Sequence, residues 1–133
     1  MSWLLLALLA GPAQAKDHSV VVTEDVNVEV IGKKAIRRLF TGQDGEWSDG
    51  RPVNLMLPPI DSEAMNWLSA KVLGLSPDIY HRYLLEKAYR AGRPPPRIAD
   101  SLEALLALAS SSEHVLTVLP LPVGNGFRIV QIN

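Results

Sequence analysis

Short apolar runs alternate along the chain with longer segments whose apolar residues recur at helical spacing. Four runs rich in β-branched or aliphatic residues predict strands, at 19–23, 53–57, 115–119 and 127–132. The segment 24–29 alternates acidic residues with valine, a pattern that fits either an edge strand or an extended loop. Because helical segments separate most of these strands, the order predicts an α/β fold, with a mainly parallel sheet and helices packed on it.

Four segments between these strands carry their apolar residues on one helix face. Glycine follows the first three of them, at Gly42, Gly74 and Gly92, where its freedom to adopt a left-handed conformation ends a helix. The third begins at Ser76-Pro77, since serine at the N-cap and proline at the first helical position are a favoured pair.

The composition bounds the classes of function. A chain of 133 residues with 47% hydrophobic content suits one domain with its own core, predicted over 16–133. The net charge of −1 indicates no nucleic-acid partner. Cysteine is absent, which excludes disulfides, thiol nucleophiles and thiolate metal sites.

Catalytic and metal motifs are not evident in the sequence. The histidines, His18, His81 and His114, lack the i, i+4 spacing of a local metal motif. No G-x-S-x-G nucleophile elbow occurs, and Gly32-Lys33 lacks the rest of a phosphate-binding P-loop. A triad assembled from distant residues stays open at this level. We expect a non-enzymatic protein that uses no metal or cofactor.

Residues 1–15 resemble a secretory signal peptide. The apolar run Trp3 to Ala10 has the length of a signal core, and Ala13-Gln14-Ala15 fits the small-x-small cleavage rule. Gly11-Pro12 ends the run well short of the roughly 20 residues that a membrane span needs. We therefore expect a mature chain that begins near Lys16, is periplasmic or secreted, and has no stable membrane anchor.

The chain resembles a known family over almost the whole of residues 16–133. The end of the first helix and the loop after it carry Phe40, Gly42 and Trp47 in the spacing F-x-G-x-x-x-x-W, and Gly92-Arg93-Pro94-Pro95 follows downstream. This pattern is similar to phosphate-type (type 2) periplasmic solute-binding proteins of ABC transporters. The resemblance implies one lobe of that fold over 16–133, whereas full-length members hold their ligand between two lobes.

The same resemblance locates a candidate ligand site. The family's phosphate loop has an arginine, followed by Ser-Gly-Thr at the start of a helix. If Ser62 matches that serine, the arginine position falls on Pro58, and the Gly and Thr positions fall on Glu63 and Ala64. The candidate ligand contacts are Asp61, Ser62 and Glu63. Because two carboxylates replace a cation at this helix start, we expect the binding of phosphate or another small oxyanion to be weak.

Two functions remain open. The first is an exported binding module that resembles a phosphate ABC transporter substrate-binding protein and weakly holds an oxyanion. The alternative is a lobe that docks onto an envelope protein, as a sensor or assembly adaptor. In that case the contact face should be the carboxyl ends of the strands, with Asp61-Ser62 and Glu24-Asp25 both on it. A weak homodimer through this face would cover it.

Two further features have competing interpretations. The segment 76–97 contains five basic residues against two acidic ones and ends in a stiff run of three prolines. It is either a solvated helix face or a docking site for an acidic partner. Trp47 and Trp67 are predicted to be core residues rather than ligand contacts.

Overall fold

The computed structural model describes residues 17–133, so the predicted signal peptide lies outside the described residues. The strands are β1 (His18–Thr23), β2 (Val30–Ile31), β3 (Asn54–Leu57), β4 (Arg97–Ile98), β5 (Val115–Pro120), β6 (Phe127–Ile129) and β7 (Gln131–Ile132). The helices are α1 (Lys33–Thr41), α2 (Glu63–Leu68), which continues into a π-helical turn (Ser69–Leu73), α3 (Pro77–Ala91) and α4 (Leu102–Ser110). No helix among residues 17–133 combines the length and apolar character needed to cross a membrane.

Five strands form the central sheet, in the order β4-β3-β5-β1-β6. β3 pairs in parallel with both β4 and β5, whereas β1 pairs antiparallel with both β5 and β6. Four of the five strands therefore run in the same direction, and β1 alone runs against them. The predicted α/β class with a mainly parallel sheet is confirmed.

The predicted last strand is divided between two sheets. Its first part, β6, pairs with β1, while β7 pairs in parallel with β2 to form a separate two-stranded sheet. Val130 lies between them, is buried, and donates its backbone N–H to Val20 O at 2.9 Å. The segment 24–29 is a loop, and strand pairing begins after it, at Val30.

The core lies on both faces of the sheet. On one face, residues of α1, α2 and α3 such as Ile36, Leu68 and Tyr80 pack against the strands. On the other, Leu105 and Ala109 of α4 pack against a second set of strand side chains. Because both faces are covered, β1 is buried along nearly its whole length, which accounts for its uninterrupted β-branched sequence.

Helix ends follow the sequence signals closely. Gly42 and Gly74 stand at the C-terminal ends of α1 and of the π-helical turn, with φ of 79° and 71°. A side chain with a Cβ would be strained at either position. At the start of α3, the Ser76 hydroxyl accepts a hydrogen bond from Ile79 N at 3.3 Å, and Pro77 follows it. These ends fix where each helix meets the sheet.

Candidate functional site

The predicted ligand residues lie at the carboxyl edge of the sheet. β3 ends at Leu57, which pairs with Ile98 at the end of β4, and Ala99 N donates to Leu57 O at 2.9 Å. The helices α2 and α4 begin a few residues after these two strand ends. Parallel strands that end side by side place the following helix starts at one edge, the usual position of a binding crevice in α/β folds.

Ser62 uses its hydroxyl within the helix cap. The hydroxyl accepts a hydrogen bond from Met65 N at 3.2 Å and donates to Pro59 O at 2.6 Å. This serine therefore satisfies one of the first-turn amides and ties the preceding loop to the helix. Its single proton is already donated, so the hydroxyl has no further hydrogen bond to donate to an anion.

Carboxylates dominate this edge of the molecule. Asp61 and Glu63 flank the start of α2, Asp100 and Glu103 flank the start of α4, and Asp17 precedes β1, whose first residue pairs opposite the end of β5. All five residues are exposed. Within residues 17–133 none of their carboxylates forms a hydrogen bond or an ion pair. We call these five residues the acidic edge.

The acidic edge has opposing effects on an anion. The amides at a helix start attract negative charge. However, each carboxylate within a few ångströms of them repels it, and no arginine occurs between 58 and 64 to compensate. The balance of charge at this edge therefore favours a cationic partner over a small oxyanion.

One predicted member of this face is elsewhere. Because β1 is antiparallel to β5, it ends at the amino edge of the sheet, where Val115 N donates to Thr23 Oγ1 at 3.0 Å. The loop with Glu24 and Asp25 therefore lies at the opposite edge from Asp61. The prediction that the two segments share a face is wrong, since it assumed that β1 runs parallel to the other strands.

Asp25 instead joins three loops at the amino edge. Its carboxylate accepts the backbone N–H of His114 at 3.0 Å and lies 3.2 Å from His114 Nε2. The Arg51 guanidinium donates to the backbone carbonyl of Asp25 at 2.8 Å. Burial raises the pKa of the Asp25 carboxyl, but hydrogen bonds from Thr23 and His114 outweigh it, so the pKa lies below its ordinary value. Sequence spacing carried no sign of this cluster, because its members are distant in the chain.

Trp47 is held against the same cluster. It is 5% exposed, and its indole Nε1 donates to His114 O at 3.3 Å. Asn54 N, at the start of β3, donates to the same carbonyl at 2.9 Å. The tryptophan of the F-x-G-x-x-x-x-W stretch is thus a core residue, as predicted, and it fastens the loop after α1 to the beginnings of β3 and β5.

Trp67 packs at the margin of the core. It is partly exposed, and its ring centroid lies 6.2 Å from that of His18. Together with Val30 and Ile129 it lines an open cavity of about 670 Å³ beside β1 and β7. The predicted core position is therefore confirmed for Trp47 and holds only in part for Trp67. None of Asp61, Ser62 and Glu63 lines this cavity.

No metal-type cluster is found in the described part of the chain. Among residues 17–133, no three His, Asp or Glu side chains are arranged to hold a metal ion. His114 Nε2 lies beside the Asp25 carboxylate at the amino edge of the sheet, whereas His81 lies on α3.

Together these features define a single α/β lobe in which helices cover both faces of a mainly parallel sheet. No protein-family model and no curated protein matches the sequence. Solved structures do match. A protein from Clostridium perfringens with bound phosphate, described as a phosphate ABC transporter substrate-binding protein, has a TM-score of 0.68 at 13% identity, covering 86% of this chain and 44% of that one.

Two further structures agree with it. An ABC-type phosphate transport receptor from Vibrio cholerae has a TM-score of 0.63 at 9% identity, over 86% of this chain and 45% of that chain. PstS from Borrelia burgdorferi has a TM-score of 0.63 at 11% identity, over 87% of this chain and 47% of that chain. The resemblance inferred from sequence is confirmed at the level of fold, and the chain spans less than half the length of each structure it matches.

Proposed function

We propose that this chain is an exported, non-enzymatic binding module whose acidic edge binds a cationic surface on a protein partner in the cell envelope. In this proposal residues 16–133 form one solute-binding-type lobe. The observation that carries the proposal is the acidic edge: five exposed carboxylates at the position where solute-binding folds receive their ligand. The match to non-enzymatic solute-binding structures supports the binding role.

Charge decides between a protein partner and phosphate. A cationic surface provides several lysine or arginine groups that can pair with carboxylates spread over two helix starts. Phosphate is a single compact anion, and it would have to approach Asp61 and Glu63 without an arginine to bind it. Ser62 cannot compensate, because its hydroxyl proton is donated to Pro59 O.

Weak oxyanion binding is the second candidate. It is favoured by the fold match to a protein that holds bound phosphate. The first amides of α2, at Glu63 and Ala64, face the same edge and have no partner within the helix. In this alternative those amides would hold the anion, at low affinity because of the neighbouring carboxylates.

A thermal-shift experiment separates the two candidates. A ligand present at about 1,000 times its dissociation constant stabilises a protein by about 4.1 kcal/mol, so a micromolar site would give that gain in about 1 mM phosphate. We expect no such gain for the native protein. The double variant Asp61→Asn, Glu63→Gln should gain more stability from phosphate than the native protein does, since it lacks the repulsion. If about 1 mM phosphate stabilises the native protein by about 4.1 kcal/mol, the proposal is refuted.

Export gives an independent prediction. If residues 1–15 are a signal peptide, mass spectrometry of the periplasmic or secreted protein should find an N-terminus at Lys16. The small side chains of Ala13 and Ala15 determine the predicted cleavage site, so replacing Ala15 with a bulky residue should slow cleavage. Recovery of intact Met1 in the membrane fraction would contradict this prediction.

A further inference from the structure

A second charged surface lies at the other end of the molecule. A groove of about 580 Å³ runs between the end of α3, the three prolines at 94–96 and the beginning of β3. Lys87, Arg93 and Arg97 line it, and Leu55 and Leu84 contribute apolar surface. We call this the basic groove. A groove with apolar walls and several cations is suited to an acidic, partly apolar protein surface.

The cations of the basic groove are not neutralised within the described chain. The ion pairs among residues 17–133 engage Arg38, Arg51, Arg128 and His114, and none involves Lys87, Arg93 or Arg97. The acidic residue that lines the groove, Asp44, is paired with Arg38 at 2.9 Å. The groove therefore carries a positive charge that only another molecule or the solvent can balance.

Apolar surface continues beside the groove. Tyr89 is 89% exposed and Leu85 is 44% exposed on the outer face of α3. Both line a shallow depression of about 480 Å³ together with Arg93 and Pro95. An exposed tyrosine next to arginine is a common composition at the centre of protein interfaces.

The two charged surfaces lie at opposite ends of the same strands. The basic groove includes Asn54 at the beginning of β3 and Arg97 at the beginning of β4. The acidic edge follows the ends of those two strands, at Leu57 and Ile98. One copy cannot bring its own surfaces together, but two copies aligned head to tail can.

We infer that the partner bound by the acidic edge is a second copy of this chain, which docks through its basic groove. The inference rests on the proposed function and names its partner. The contact is heterologous, because different surfaces meet, so each copy retains one unused surface. Such contacts extend into open chains or close into rings. The attraction is between exposed charges, so added salt should weaken it.

Neutralising each surface in turn tests the inference by analytical ultracentrifugation. The groove variant is Lys87→Gln, Arg93→Gln, and the edge variant is Asp61→Asn, Glu63→Gln. The control variant, Arg82→Gln, Arg90→Gln, removes the same charge from α3 at positions that do not line the groove. The native protein should associate with rising concentration, and the groove and edge variants should each associate at least about tenfold more weakly, a change of about 1.4 kcal/mol. The control should associate like the native protein.

Mixing provides the sharper measurement. The groove variant keeps an intact acidic edge, and the edge variant keeps an intact basic groove. When combined, they should form a 1:1 dimer that cannot grow, at concentrations where each variant alone stays monomeric. Circular dichroism confirms that each variant is folded before it is mixed.

Three outcomes would overturn the inference: a native protein that stays monomeric at millimolar concentration, a control that weakens association as much as the groove variant does, or a mixture that stays monomeric. If the native protein stays monomeric and phosphate does not stabilise it, self-association is refuted but the proposed function is not. Tight phosphate binding in the thermal-shift experiment would instead refute the proposed function.

Discussion

Replacing Trp47 with alanine should lower the free energy of unfolding by about 3–5 kcal/mol, the usual cost of removing a large buried aromatic side chain. Trp47 is 5% exposed, and its indole N–H donates to the carbonyl of His114. The variant would lose both the packing and this hydrogen bond. It would also loosen the loop after α1 from the beginnings of β3 and β5.

Trp67→Ala is the matched control for this prediction. Trp67 is partly exposed at the margin of the core, so its loss should cost clearly less than the loss of Trp47. Chemical denaturation of the two variants and the native protein measures the difference. Equal costs, or a larger cost at Trp67, would show that the loop is not fastened as described.

Replacing Tyr80 should give the second large effect. Its side chain is fully buried, and its hydroxyl donates to Phe40 O at 2.6 Å, at the C-terminal end of α1. Tyr80→Ala should cost about 3–5 kcal/mol, as for other large aromatic side chains. Tyr80→Phe keeps the ring and removes only the hydrogen bond, so it should cost about 1–2 kcal/mol.

Tyr80 also predicts a pH dependence. Burial raises the pKa of its phenol above the ordinary value of 10.0. The folded state therefore favours the neutral phenol more than the unfolded state does. This contribution to stability is fully present below pH 10.0 and is lost as the pH rises above that value. Denaturation at several alkaline pH values should show a decline that Tyr80→Phe largely lacks, and identical declines would contradict the assignment.

Local signals in the sequence predicted the helix ends well. A helix end is set by residues close to it in the chain, so it does not depend on distant contacts. The residues that do this here are Gly42, Gly74, Gly92 and the pair Ser76-Pro77. The α/β class followed from the alternation of strands and helices. The prediction that Trp47 is a core residue follows from the loop itself, because a lone tryptophan among turn residues usually packs over the core, and it is confirmed.

Features set by strand direction could not be predicted in the same way. An isolated run such as Val20-Val21-Val22 is compatible with either direction in a buried sheet. Its antiparallel pairing with β5 is determined by packing across the whole domain. The antiparallel direction of β1 places Asp25 at the opposite edge of the sheet from Asp61. It also brings Asp25 into contact with His114, 89 residues further along the chain.

The acidic edge was only partly predictable. Asp61 and Glu63 were identified as flanking the matched serine, but Asp100 and Glu103 join them only because β3 and β4 end side by side. The residue types at 61 and 62 predict that Asp61 or Ser62 caps α2, and Ser62 does so, but its donation to Pro59 O was not predictable. Serine at a helix start serves equally as a cap or as an anion donor, and here its geometry satisfies the cap.

Charge is distributed unevenly between the two ends of the sheet. The net charge of −1 is close to neutral, yet cations line the groove at the beginnings of β3 and β4, and carboxylates occupy the ends of the same strands. A near-zero sum therefore conceals two surfaces of opposite sign. This arrangement is the basis of both the weak phosphate binding that we expect and the proposed association between copies.

Isothermal titration calorimetry of residues 16–133 with phosphate tests the central claim most directly. The claim is that this α/β lobe uses its acidic edge to bind a cationic protein surface. It predicts a phosphate dissociation constant weaker than about 1 μM, which corresponds to a binding free energy smaller in magnitude than about 8.2 kcal/mol. A submicromolar dissociation constant with a stoichiometry of one would contradict the claim and indicate phosphate binding as the function.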